Sequence, residues 1–307
     1  LVILESFWAY GWTLAAVIGL VIVPQLPEWG WRVAFFIGAL PALSVAYLRR
    51  RLPESPRYLD LIGRHDEALA VLRTFERVAG LPFADVTFTP SPQRPSFIEQ
   101  FRAIWSRRLV RRTLMLWILW FGIVFAYYGV FTWLPALLVE RGLTVARSFS
   151  YVFVTTLAQI PGYFSAAYLV DRWGRKATLV IYLIGSALSA WLLGNAGTAP
   201  VLVLWGCLLS FFNLGAWGVV YTYTPELYPT PLRGFGSGAA ASFGRLAGIL
   251  APYLTPWLLT TGGLSQPAVF ALFMAVFVLI AVDVLLLGEE TRGRPLEHAV
   301  PVTGGAR

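Results

Sequence analysis

Arg245 lies in the run FGSGAAASFGRLAGILAP (Phe235–Pro252), whose other residues are small or apolar. A guanidinium is a rigid fork of donors that matches a carboxylate through two parallel hydrogen bonds. The chemistry it suggests is recognition of an anion, since a charge held in apolar surroundings needs a cavity or a partner. The competing reading is that Glu5, or another internal carboxylate, satisfies Arg245 and the pair only fixes packing. Other polar and aromatic side chains recur at helical spacing: Asn213, Trp217 and Tyr221 share one face, and Thr156, Gln159 and Tyr163 share another. Trp120, Tyr127, Tyr128 and Phe131 populate a third segment, and Glu5, Trp8 and Trp12 form a comparable set near residue 1. An aromatic-lined cavity with one arginine and a few amides suits a small planar acid. Arg245, Asn213, Gln159, Trp217, Tyr221 and Tyr128 are therefore the candidate ligand contacts, although any single aromatic competes with a packing or lipid-facing role.

A second group of charges could pair. In DRWGRK, Asp171 ends one apolar run and Arg172, Arg175 and Lys176 open the next, with Gly174 permitting close backbone approach. Glu226 and Arg233 of PELYPTPLRGFG (Pro225–Gly236) border the neighbouring runs. A clamp of Asp171, Arg172, Arg175, Glu226 and Arg233 would be a bistable element, because opening it leaves charges unpaired. The alternative is that these charges only set topology and anchor helix ends. No nucleophile with a base and no metal-ligand pair occurs in any apolar run, and both histidines, His65 and His298, lie outside them. The sequence thus points to no catalytic residue, cofactor or metal, and an enzyme embedded in the membrane is disfavoured.

The elements that must position these residues follow from composition. With 57% hydrophobic and 13% charged residues the chain departs far from a soluble domain. Continuous apolar runs of about 20 residues suffice to cross a ~30 Å hydrocarbon core as helices, whereas spanning strands would alternate over about ten. Eight such runs are marked, at 4–26, 31–48, 113–139, 147–170, 177–195, 199–223, 234–260 and 267–288. The fold class is an all-α multi-pass membrane protein. Placing residue 1 on the cytoplasmic side leaves only Arg32, Arg141 and Arg147 outside and Arg245 within a span, so the net charge of +8 is explained by topology rather than by nucleic acid. The single cysteine, Cys207, excludes an internal disulfide. Arg245 sits eleven residues beyond Gly234, about 16 Å along the helix and near the midplane. Gly236, Ala240, Gly244, Gly248 and Pro252 form a smooth stripe for close helix packing, and Arg245 points about 100° away from it.

Between the second and third runs, Ser55–Pro56 is a helix start, DEALAVLRTFERVAG reads as an amphipathic helix stopped by Gly80, and SFIE (Ser96–Glu99) is a capping box. The last of these helices, with Arg102, Arg107, Arg108, Arg111 and Arg112 nearby, is expected along the membrane surface. LPFADVTFTPSPQRP reads as an irregular connector.

Three of these stretches, PESPRYL (Pro53–Leu59), DRWGRK and PELYPTPLRGFG, resemble in order and position the loop signatures of the major facilitator superfamily, particularly its sugar-porter, organic-ion and nicotinate-transporter relatives. EETRGRPLE (Glu289–Glu297) resembles the motif after that family's twelfth helix. Ala167 stands where the family often has Gly. The resemblance implies a major facilitator fold with eight of twelve helices present, helices one to four being absent. The chain begins with Leu1, in accord with a piece of a longer protein. The implied organisation is 1–48, the last two helices of the first half; 49–112, a cytoplasmic segment; 113–288, the six-helix second half; and 289–307, a cytoplasmic tail. A weak internal repeat, ESFWAYGWTLA (Glu5–Ala15) against ASFGRLAGILA (Ala241–Ala251), accords with two related halves.

The resemblance implies a secondary transporter working by alternating access, with Glu54 and Arg57 joining the gate charges. In the organic-anion branch an arginine follows the loop arginine by twelve residues, and Arg233 to Arg245 is the same interval. The expected function is proton-coupled symport of a small carboxylate, nicotinate-like or aromatic, with Glu5 as the proton-coupling candidate. A sugar:proton symporter, an exporter of organic ions and a non-transporting sensor of the same fold are the alternatives. Its expected partners are the solute, a proton and the bilayer, and its expected place is the plasma or inner membrane.

Overall fold

The structure, a computed structural model, describes residues 1–26, 28–83, 96–134, 138, 139 and 144–293. The proline-rich connector from 84 to 95, Arg141, and the tail from 294 to 307 with His298 lie outside the described residues, as do the side chains of Arg57 and Arg147. The described residues form helices alone: α1 (Val2–Glu5), α2 (Phe7–Gln25), α3 (Gly30–Arg51), α4 (Pro56–Leu61), α5 (His65–Ala79), α6 (Phe97–Ile104), α7 (Val110–Phe131), α8 (Val145–Leu157), α9 (Gln159–Trp173), α10 (Arg175–Gly194), α11 (Ala199–Glu226), α12 (Thr230–Leu259) and α13 (Gln266–Leu287).

Helix covers each of the eight apolar runs among the described residues, and six helices are long and apolar enough to cross a membrane. The other two depart for identifiable reasons. The run 147–170 is split at Ala158 because Pro161, lacking an N–H, cannot bond the Leu157 carbonyl four residues earlier. The helix over 234–260 is long, but its glycines and Arg245 dilute its apolar character.

The chain divides into two compact units, Arg32–Ser96 and Leu1–Trp31 with Phe97–Arg307. In the first, Ser55 and Pro56 open α4 as expected, and Gly80, at φ 66°, closes α5 in the left-handed conformation that favours glycine. Leu59 and Ala68 are buried, and Arg73 pairs with Glu76 at 3.2 Å. In the second unit, α7 packs on α12 and α13, and α11 on α9 and α10. The small-residue stripe is what lets α12 approach α7: a Cβ at Gly244 would lie 3.0 Å from the Trp120 carbonyl oxygen. The amphipathic segment forms α6, with Phe97 edge-on to Phe235 at 5.2 Å and the Ile104 carbonyl accepting the Thr113 hydroxyl at 2.7 Å.

The tightest approach to another helix's backbone among the described residues is between α9 and α11, where a Cβ at Gly162 would lie 2.2 Å from the Phe211 carbonyl oxygen. Backbone on the other side has no rotamer into which to retreat. Gly162→Ala is therefore expected to cost about 2–3 kcal/mol by overpacking, measurable as a fall of about 6 °C or more in the thermal unfolding midpoint in detergent. An unchanged midpoint would show that the two helices separate freely.

Candidate functional site

A cavity of about 410 Å³, counted to its open mouth, lies within the larger unit. Arg245 and Glu5 supply its charges, and Trp8, Trp217, Tyr127, Tyr128, Tyr163 and Tyr221 most of its surface, with Leu214 completing the wall. Arg245 reaches it for the reason its spacing implies: Gly244 and Gly248 face α7, so the residue between them turns aside into open space. Tyr221 lines the cavity beside it. Arg245 and Glu5 line the same cavity without forming an ion pair, and no other carboxylate pairs with Arg245 among the described residues. Two opposite charges thus share one polar, aromatic enclosure and remain available to a ligand.

The aromatic wall is oriented from behind. Trp120 is buried, donates its indole N–H to Thr224 Oγ1 at 3.0 Å, and sets its ring edge-to-face against Trp217 at 5.6 Å and Tyr221 at 5.3 Å. Tyr127 meets Trp217 at 5.9 Å and Tyr128 at 5.3 Å in the same T-shaped manner. The Trp217 indole N–H is buried and has no hydrogen-bond partner. Of the expected contacts, Arg245, Trp217, Tyr221 and Tyr128 share this wall, while Gln159 and Asn213 do not line it. Both are buried away from it.

At the Arg-rich end of the bundle the charges pair more selectively than the loop motifs imply. Arg175 grips Glu226 with Nη2 at 2.9 Å and Nε at 3.0 Å, and both side chains are largely buried. Asp171 stands 3.8 Å from Arg175 and is 84% exposed, so it adds little. Arg172 instead donates to the Tyr168 hydroxyl one turn back at 2.6 Å, and Arg233 donates to the Pro225 carbonyl at 2.9 Å. Within the five-residue set, Arg175 and Glu226 form a bidentate pair. Glu54 accepts the Ser55 amide at 3.1 Å within the other unit.

Three participants were not singled out from the sequence. Glu290 accepts the backbone N–H groups of Arg175 at 2.9 Å and Lys176 at 3.1 Å, a carboxylate at the N-terminus of α10 where unpaired amides and the helix dipole favour it. Gly174 permits this: its φ is 93°, and a Cβ there would lie 2.4 Å from Glu290 Oε2. Glu289 receives Arg112 bidentately at 2.8 and 2.9 Å, and Thr291 donates to Glu226. The signal was present, since EETRG had been marked as a tail motif, but spacing gave no partner for it. Nearby, Tyr228 donates to Thr113 Oγ1 at 3.1 Å, and burial pushes its phenol up.

A family model described as "Sugar (and other) transporter" matches residues 1–302. The niacin transporter NiaP of Acinetobacter baylyi is 49% identical over 298 residues, 97% of this chain and 66% of the relative. A NiaP of Bacillus subtilis is 42% identical over 297 residues, again 97% of this chain and 66% of the relative. The chain thus spans about two thirds of the length of these curated relatives. Among solved structures, that of the major facilitator superfamily proton:xylose symporter XylE superposes with a TM-score of 0.74 at 21% identity, over 96% of this chain and 66% of that one.

Proposed function

Since this chain belongs to the sugar (and other) transporter family and has the all-helical major facilitator fold of a multi-pass membrane protein, we propose that it moves a small aromatic carboxylate of the nicotinate type across the membrane. In this reading it contributes eight of the transporter's twelve helices and no catalytic group. The observation that carries the reading is Arg245, a cation on the wall of an aromatic cavity without an ion-pair partner among the described residues. The carboxylate takes the guanidinium bidentately and the ring lies among Trp217, Tyr221 and Tyr128. The naming of the Acinetobacter baylyi relative as a niacin transporter supports the same choice.

Glu5, in the same cavity, is the proposed carrier of a co-transported proton, and the Arg175–Glu226 pair with Asp171, Arg172, Arg233, Glu54 and Arg57 the proposed gate. The test is uptake of labelled nicotinate, benzoate and glucose by vesicles containing the full-length protein under an imposed proton gradient. Nicotinate is expected to accumulate under an inward proton gradient, and glucose not at all. Glu5→Gln is expected to keep nicotinate exchange while losing accumulation against a gradient. Glucose accumulation with no acid uptake would replace this reading with sugar symport. Binding without any uptake would make the protein a sensor.

A further inference from the structure

The two charges of the aromatic cavity enter it from different helices. Glu5 comes from the short α1, which packs on α9 and α11, and Arg245 comes from α12, which packs on α7. Val2, on the same short helix as Glu5, is seated against α11: a Cβ at Gly218 would lie 2.7 Å from Val2 Cγ1 and 3.0 Å from Tyr163 Cδ1. Arg245 is set by the α7 contact, where a Cβ at Gly244 would lie 3.2 Å from Trp120 Cβ and one at Gly248 3.4 Å from Tyr128 Cδ2. Aromatic rings form a continuous series between the two approaches. Trp8, one turn beyond Glu5, meets Trp12 at 5.8 Å, Trp12 meets Tyr127 edge-on at 6.3 Å, and Tyr127 meets Tyr128 at 5.3 Å. Among the described residues Glu5 is the one carboxylate lining the cavity, whose other titratable groups are Arg245 and the phenols of Tyr127, Tyr128, Tyr163 and Tyr221.

A carboxylate alone uses half of this arrangement. When both are ionised, Arg245 and Glu5 cancel, so an added anion leaves the enclosure with one net negative charge, which a partly dehydrated site holds only at a cost. Two additions remove that charge: a proton on Glu5, as in the proposed symport, or a positive charge carried by the ligand itself. The second suits the walls, because the faces of indole and phenol rings attract a diffuse organic cation and Glu5 supplies its counter-charge. Resting on the reading of Arg245 as the carboxylate site, we propose that the cavity also takes zwitterions in which a carboxylate and a permanently cationic nitrogen belong to one small aromatic ring, as in an N-alkylated pyridine carboxylate. The ligand's cation and the co-transported proton are then alternatives at Glu5. Arg245 takes the carboxylate bidentately, the cationic ring lies against the aromatic faces, and the Glu5 carboxylate balances the nitrogen. An organic cation without a carboxylate leaves one net positive charge and an unmatched guanidinium, so the same count disfavours it.

The test uses the purified full-length protein, parent and Glu5→Gln, with labelled nicotinate and labelled N-methylnicotinate, the N-methylpyridinium carboxylate zwitterion. Equilibrium dialysis gives a dissociation constant for each ligand, and the parent is expected to bind the two within about tenfold of each other. Glu5→Gln is expected to raise the ratio of the N-methylnicotinate constant to the nicotinate constant at least about tenfold, because the amide stands in for a protonated carboxyl but offers no counter-charge. Both constants come from one preparation, so a partly unfolded sample does not alter the ratio. In vesicles, an inward proton gradient is expected to raise accumulation of nicotinate and to leave that of N-methylnicotinate unchanged. Binding of nicotinate without binding of N-methylnicotinate overturns the proposal and leaves the carboxylate site standing, whereas failure of both ligands removes that site as well. A ratio unaltered by Glu5→Gln, or proton-driven accumulation of N-methylnicotinate, also overturns it, since Glu5 would then not exchange a proton for the ligand's cation.

Discussion

Arg245→Ala will lower kcat/KM for nicotinate uptake about a hundredfold while the protein still reaches the membrane. Removing one partner of a hydrogen-bonded charge pair in a partly dehydrated site costs about 3 kcal/mol, and 1.4 kcal/mol is tenfold. Arg245→Lys will recover only part of this, because an ammonium supplies charge without the planar fork. The effect belongs to the solute and not to the fold: Arg245 faces the cavity and pairs with no carboxylate among the described residues, so none of their buried charges is orphaned by its removal. The unfolding midpoint of Arg245→Ala should accordingly stay within about 2 °C of the parent. Near-parental uptake by Arg245→Ala would make the guanidinium a packing element and remove the central support for an anion site.

Glu226→Ala is the second large perturbation, and it acts on the conformational equilibrium. It leaves the Arg175 guanidinium, 18% exposed, without the carboxylate that takes two of its nitrogens, and also frees the Thr291 hydroxyl. Breaking such a pair costs about 3–5 kcal/mol when fully buried, and about 2–3 kcal/mol is expected here after allowing for residual exposure. That is enough to shift a two-state equilibrium thirtyfold or more. The expected readout is faster modification of a reporter cysteine placed below the gate, together with a fall in maximal transport rate of at least tenfold. Glu226→Asp should recover part of both, since it keeps the charge. Asp171→Asn should change neither by more than twofold, because that carboxylate is exposed and 3.8 Å from its partner. Equal effects of Asp171→Asn and Glu226→Ala would mean that these charges act only through the electrostatics of topology.

Much of the architecture was legible because a membrane makes local composition decisive. An apolar run of sufficient length must be a helix, since no other conformation satisfies its backbone without water. The break at Ala158 was also written locally, in Pro161. The stripe Gly236, Ala240, Gly244, Gly248 together with the offset of Arg245 was enough to turn one side chain into open space, because both follow from residues on a single helix. Gln159 and Asn213 show where this kind of reasoning ends. Each lies on a polar helical face, and periodicity reports that a face is polar without reporting what it meets.

What the sequence determined by itself is therefore the membrane class, the course of the apolar helices, the family signatures and the isolation of Arg245. Only the tertiary structure decided that Arg175 pairs with Glu226 while Arg172 turns to Tyr168, that Glu290 caps α10, and that the two amides are buried away from the cavity wall. Those outcomes depend on the register between helices, set where the Gly162–Phe211 and Gly174–Glu290 approaches bring backbone or side chain within van der Waals reach. Helical period fixes direction around one axis; which partner lies in that direction is a property of two axes at once, and no single stretch of sequence contains it.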